Sequence, residues 1–136
     1  MKILVESGHR SLREIFSRAA SAVNREITKE NLKKPASKVE LVDIRFRDDS
    51  VYKAAETLLD EIKPRIIIVT NVERGKLWAK ILDGDKTTRL WVFYRTFKQP
   101  KLKAVWVKPV SNLSIASVRN WIQGEKKLWD RNCGPA

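Results

Sequence analysis

The sequence predicts an α/β protein: a mostly parallel sheet flanked by helices, Rossmann-like and in one domain. Three observations predict it. Segments with the two-residue period of a strand alternate with segments at helical spacing. Residues 66–69, IIIV, form a continuous aliphatic run of the kind found in strands buried on both faces. The chain has 136 residues, 43% hydrophobic and 32% charged, enough for one core.

The elements follow in order. Lys2–Val5 is a short apolar strand. Ser11 opens a helix, with Glu14 at the capping-box spacing. Leu12, Ile15, Phe16, Ala19, Ala20, Val23 and Ile27 give that helix one apolar face. Residues 28–38 are a polar connection broken by Pro35. Val39–Phe46 alternates and reads as the second strand. Asp48, Asp49 or Ser50 caps the next helix, whose stripe is Val51, Ala54, Ala55, Leu58, Leu59 and Ile62 and whose stop is Pro64. Arg65–Val69 is the third strand, and a short helix from about Gly75 to Leu82 carries Leu77, Trp78, Ile81 and Leu82. After the turn at Asp83-Gly84-Asp85 come two more strands, Arg89–Phe97 and Lys103–Val110. Ser111 or Ser114 caps a last helix that Gly124 ends. The domain is thus expected over residues 1–124, with a fraying tail over 125–136.

Composition narrows the function classes. No apolar run is long enough to span a membrane. The N-terminus, MKILVESG, meets Glu6 too soon for a signal peptide. Cys133 is the only cysteine, so no disulfide forms within the chain, and a Cys/His metal site is excluded. A cytoplasmic protein is expected. The net charge is +12, and residues 86–119 contain eight Lys and Arg with no Asp or Glu. That stretch alone supplies two thirds of the net charge and would attract a polyanion, nucleic acid first. Trp91, Phe93 and Phe97 share one face of a strand that also holds Arg89 and Arg95. They serve either for base stacking or as one buried strand face.

Ligands of parallel sheets bind at the carboxyl ends of the strands. Glu6 ends the first strand and Asn71–Glu73 follows the third, so both are expected at one crevice. Magnesium takes a few carboxylate oxygens and keeps several waters. Glu6, Asn71 and Glu73 are the candidate ligands, with Asn71 supplying an oxygen but no charge. Glu6 is also the candidate general acid or base. The plainer readings stand beside these: Glu6 as a strand-end carboxylate paired with a cation, and Glu73 as an acid favoured near a helix N-terminus. His9, Arg10, Arg74, Lys76, Arg89, Arg95, Lys98, Lys101, Lys103 and Lys108 are the candidate nucleic-acid contacts.

These motifs resemble the Toprim domain of type IA topoisomerases and reverse gyrases. Ile3-Leu4-Val5-Glu6-Ser7 is similar to the family's strand ending in V-E-S or A-E-K, with Arg10 where a turn lysine falls. Ile66–Lys76 is similar to I-I-x-A-T-D-x-D-R-E-G-E, and Ala104–Ser111 with Ile115 to a later R-L/V-W-x-S-x-L-T segment. The resemblance implies a Toprim-like fold over most of residues 1–122. It implies a nucleic-acid ligand, DNA ahead of RNA, and magnesium-dependent phosphodiester cleavage or transfer with Glu6 as acid/base. The chain departs from the pattern where Asn71 replaces an aspartate, where Glu73 replaces a second one, and where Lys76 replaces an acid. Those changes imply a weakened or lost metal site. Complete topoisomerase activity is not expected, since Tyr52 and Tyr94 lie within a helix and a strand. Three functions follow: a diverged catalytic protein, a non-catalytic basic binder of DNA or RNA, or an interaction subunit that engages a protein partner through Trp129 and the tail.

Overall fold

In the computed structural model, residues 1–30, 38–44, 50–85, 87–95, 98–102 and 106–132 are described. Five strands and four long helices alternate as expected: β1 (Lys2–Glu6), α1 (Arg10–Glu30), β2 (Glu40–Asp43), α2 (Ser50–Ile62), β3 (Ile66–Val69), α3 (Val72–Ile81), β4 (Arg89–Tyr94), β5 (Trp106–Pro109) and α4 (Ile115–Asn132). The sheet order is β2-β1-β3-β4-β5, and every pair is parallel. β1 therefore lies inside the sheet, and the direction of winding reverses between β1 and β3. That reversal is the switch point where doubly wound sheets hold ligands.

Strand alternation sorts the core into two layers. Ile3, Val5, Ile66, Ile68, Trp91 and Phe93 point to the side covered by α1 and α4. Leu4, Ile67, Val69, Leu90 and Val92 point to the side covered by α2 and α3. All four residues of β3 are fully buried, which is why the run reads as aliphatic without alternation. Each fully buried large apolar side chain in these layers stabilises the fold by about 1.5–3 kcal/mol.

Several boundaries differ from the sequence reading. α1 starts at Arg10, so Ser11 lies inside its first turn, and Glu14 pairs with Arg10 at 3.7 Å instead of capping. α3 starts at Val72, not Gly75, because Asn71 caps it. The charged segment expected as a turn is therefore mostly the first two turns of a helix. Residues 45–49, with the expected caps Asp48 and Asp49, lie outside the described residues. Ser114 does cap α4: its Oγ accepts the Ser117 backbone N–H at 3.1 Å. Gly124 does not end that helix, which runs on to Asn132. Residues 125–132 are thus helix rather than tail. Glu125 and Lys126 are buried there, and Trp129 packs against the core.

Candidate functional site

At the carboxyl edge, the ends of β1 and β3 are tied together by side chains. The Thr70 hydroxyl donates to Ser7 Oγ at 3.0 Å, and Ser7 Oγ also accepts the His9 backbone N–H at 3.2 Å. Glu6, only 10% exposed at its side chain, faces the start of α3. Its Oε1 lies 3.2 Å from Arg74 Nε, and its Oε2 accepts the Trp78 indole N–H at 2.8 Å. Trp78 is fully buried, one helical turn beyond Arg74. The two motifs singled out in the sequence do meet across the switch point. They meet as an ion pair braced by an indole.

The remaining expected metal ligands are also engaged. Asn71 Oδ1 accepts the backbone N–H groups of Glu73 at 2.8 Å and Arg74 at 3.2 Å, the standard work of an N-cap. Glu73 is 83% exposed and pairs with Lys76 at 3.8 Å. Among the described residues no three His, Cys, Asp or Glu side chains are grouped to share a metal ion. Of Glu6, Asn71 and Glu73, the buried carboxylate faces a guanidinium, the amide caps a helix and the second acid is exposed.

The expected nucleic-acid contacts fall in several places. His9 and Arg10 are exposed at the loop after β1 and the start of α1. Arg95 is exposed at the carboxyl end of β4, and Lys98 and Lys101 are exposed on the connection to β5. Lys103 lies outside the described residues. Lys108 is on the edge strand β5, its Nζ 5.5 Å and 5.2 Å from the ring centres of Trp106 and Trp121. Arg89 is a correction. It starts β4, at the opposite edge of the sheet, and its Nε lies 2.6 Å from buried Glu125. Arg65 joins the same carboxylate at 3.6 Å. Neighbouring positions along the chain thus reach opposite ends of a strand.

A groove of about 640 Å³ opens between α3 and the β4–β5 connection. Lys76, Lys80 and Lys101 border it, with Glu73 and Asp83 between them and Leu77 and Leu102 at its floor. The sequence reading named Lys76 and Lys101 but missed Lys80, which sits one turn after Lys76 on α3. The i, i+4 spacing was the signal that would have found it. A second cavity, about 500 Å³, lies at the amino edge and includes Glu56, Asp60, Arg65, Asp85 and Trp129. Burial pushes the Asp85 carboxyl up, but hydrogen bonds from Thr88 and Thr87 outweigh this and hold it below its ordinary value.

The aromatic side chains of β4 are core. Trp91 and Phe93 are fully buried, Trp91 stacked on Trp106 at 4.2 Å and Phe93 on Trp121 at 5.9 Å. Of the two uses open to that strand face, burial is the one observed for Trp91 and Phe93, and Phe97 lies outside the described residues. No helix among the described residues is long and apolar enough to cross a membrane.

No protein-family model matches the chain, and no curated protein matches it. Among solved structures it is similar to a chain described as a "putative lipoprotein from Peptoclostridium difficile 630 (fragment)". The TM-score is 0.53 at 10% identity, over 91% of this chain and 96% of that one. At that identity the likeness is one of α/β fold.

Proposed function

We propose that the protein binds nucleic acid electrostatically, without metal-dependent chemistry. The observation that carries this reading is the groove beside α3, where Lys76, Lys80 and Lys101 converge on a chain of net charge +12. Lysines placed around one groove suit phosphate groups, which they meet as point charges. Exposed Arg95 and Lys98 extend the positive surface along the β4–β5 connection. The Toprim resemblance supports the same ligand class through its V-E-S and T-N-V-E-R-G segments, which lie side by side at the switch point. The pairing of Glu6 with Arg74 favours the binding role over the catalytic one. A carboxylate whose two oxygens face a guanidinium and an indole is less available to a metal ion.

The test is anisotropy of a labelled DNA duplex titrated with protein over a salt series, with magnesium and with EDTA, followed by electrophoresis of the same DNA. The expected result is tight binding at low salt, a linear fall of log K with log salt, no effect of EDTA and intact DNA. Absence of binding at low salt overturns the reading. Metal-dependent nicking overturns its non-catalytic part and restores magnesium-dependent phosphodiester cleavage.

A further inference from the structure

We infer that the nucleic acid is taken as a single strand that turns the β5 edge of the sheet, with its phosphates at the lysine groove and a base against Trp106 and Trp121; this rests on the nucleic-acid reading above and names the ligand of that surface. Two features lie on either side of one edge strand. The groove of Lys76, Lys80 and Lys101 is on the α3 face, where Leu77 and Leu102 pack against the inner layer. Trp106 and Trp121 are half-buried on the α1 and α4 face. β5 ends the strand order, so both features stand at the same edge of the sheet. Lys101 and Trp106 are close in the chain, and the segment between them spans at most about 18 Å. A single strand bends freely over that distance. A duplex, stiff over about 150 base pairs, does not fold from one face of a sheet to the other.

The chemistry at the rings points the same way. Trp106 stacks on buried Trp91 at 4.2 Å and meets Trp121 edge to face at 4.9 Å. Trp121 in turn stacks on buried Phe93. These contacts hold both indoles in place, so a base that stacks on them costs little side-chain ordering. Lys108 follows Trp106 by two residues on β5 and shares its face. Its Nζ stands 5.5 Å and 5.2 Å from the two ring centres. At a partly open site an ammonium over a ring is worth about twofold to fivefold in affinity. A stacked base is worth about fivefold to a hundredfold. The base therefore displaces the lysine, and the freed ammonium is beside the phosphate that follows it. A basic groove with aromatic rings set next to it is the combination that holds single strands without sequence preference.

The experiment measures anisotropy with labelled oligothymidylate, an abasic strand of the same length and a duplex of the same length. It is run at about 150 mM salt, where the attraction of the duplex charge is screened, and tryptophan emission is read on the same samples. Oligothymidylate is expected to bind about tenfold more tightly than the abasic strand and several-fold more tightly than the duplex. It should quench tryptophan emission, and the abasic strand should not. Trp121→Leu removes one ring. Lys108→Met leaves an uncharged chain over the rings that no phosphate draws away. Each is expected to bring oligothymidylate and the abasic strand within about twofold of each other. Urea denaturation checks that each variant is folded, and Lys108→Met, changed at a half-exposed edge position, carries the test if Trp121→Leu is not. Equal binding of the two strands by the unaltered protein, tighter binding of the duplex, or a base preference that survives in the folded variants overturns the inference while leaving nucleic-acid binding in place. Absence of binding by every strand, at low salt as well, overturns both.

Discussion

Glu6 illustrates how a residue type suited to catalysis takes a different role from its neighbours. Its two oxygens are shared between Arg74 and Trp78, and the pair is close to neutral as a unit. Glu6 therefore cancels a cation at the carboxyl edge that would otherwise attract phosphate. The substitution Glu6→Gln keeps an oxygen for the indole and removes the cancelling charge. It is expected to raise duplex affinity about threefold at low salt, as one net positive charge gained near the DNA would, in the same anisotropy titration. Weaker binding would show that Glu6 does not offset Arg74 in this way, and cleavage by the unaltered protein that this variant lacks would mark Glu6 as catalytic. The sequence made Glu6 and the Asn71–Lys76 segment visible as one site, because strand ends in a parallel sheet share an edge. It did not reveal the partners. Asn71 reads equally as an oxygen donor and as a helix cap, and the choice depended on where the helix began.

That boundary was misplaced because Gly75 and the charges around it look like a turn. The structure shows why a glycine stands inside a helix here. A Cβ at Gly75 would come within 3.0 Å of both Val92 methyl groups and 3.4 Å of Leu102 Cδ1. The glycine lets α3 lie close to β4. Val92 is fully buried and β-branched, so it has no room to turn away. Gly124, the expected stop of α4, is the opposite case: nothing lies within 4 Å of an added Cβ, and the helix continues through it. The two substitutions to alanine should differ in sign. Gly75→Ala is expected to destabilise by about 1–2 kcal/mol through overpacking, and Gly124→Ala to stabilise by about 0.5–1 kcal/mol, both read by urea denaturation. Periodicity located the five strands and four α-helices here, though not the 3-10 turn at Val110–Asn112. It could not tell a glycine that breaks a helix from one that fits it against a neighbour, since that depends on tertiary contact.

On the scale of the whole molecule, the α4 segment once expected as tail holds the amino edge together. Glu125 is 4% exposed and receives Arg65 from the start of β3 and Arg89 from the start of β4. Removing its charge leaves two guanidinium groups without their shared carboxylate. Glu125→Gln is expected to lower stability by about 3 kcal/mol in urea denaturation with an unchanged m-value. A loss under about 0.5 kcal/mol would show that the two arginines reach solvent instead. The all-parallel order was only partly legible. Alternating elements imply parallel strands, but the sequence places no helix between Arg89–Phe97 and Lys103–Val110, so the parallel pairing of β4 with β5 was not implied. Charge was legible as an amount and not as a map. The basic stretch of residues 86–119 divides among the groove, the β5 edge and the buried Glu125 cluster.

The position of β1 inside the sheet also orders events during synthesis. β2 adds to one side of the first strand and β3 to the other, after which each new strand docks on the one made just before it. Among the described residues the α2 and α3 layer draws on nothing later than Leu102, which packs against it ahead of β5. The α1 layer waits for Val118 and Ile122 of α4, which follows all five strands in the chain. A nascent chain therefore carries one closed face and one covered by α1 alone until α4 leaves the ribosome, and that half-covered face is the one a chaperone would meet.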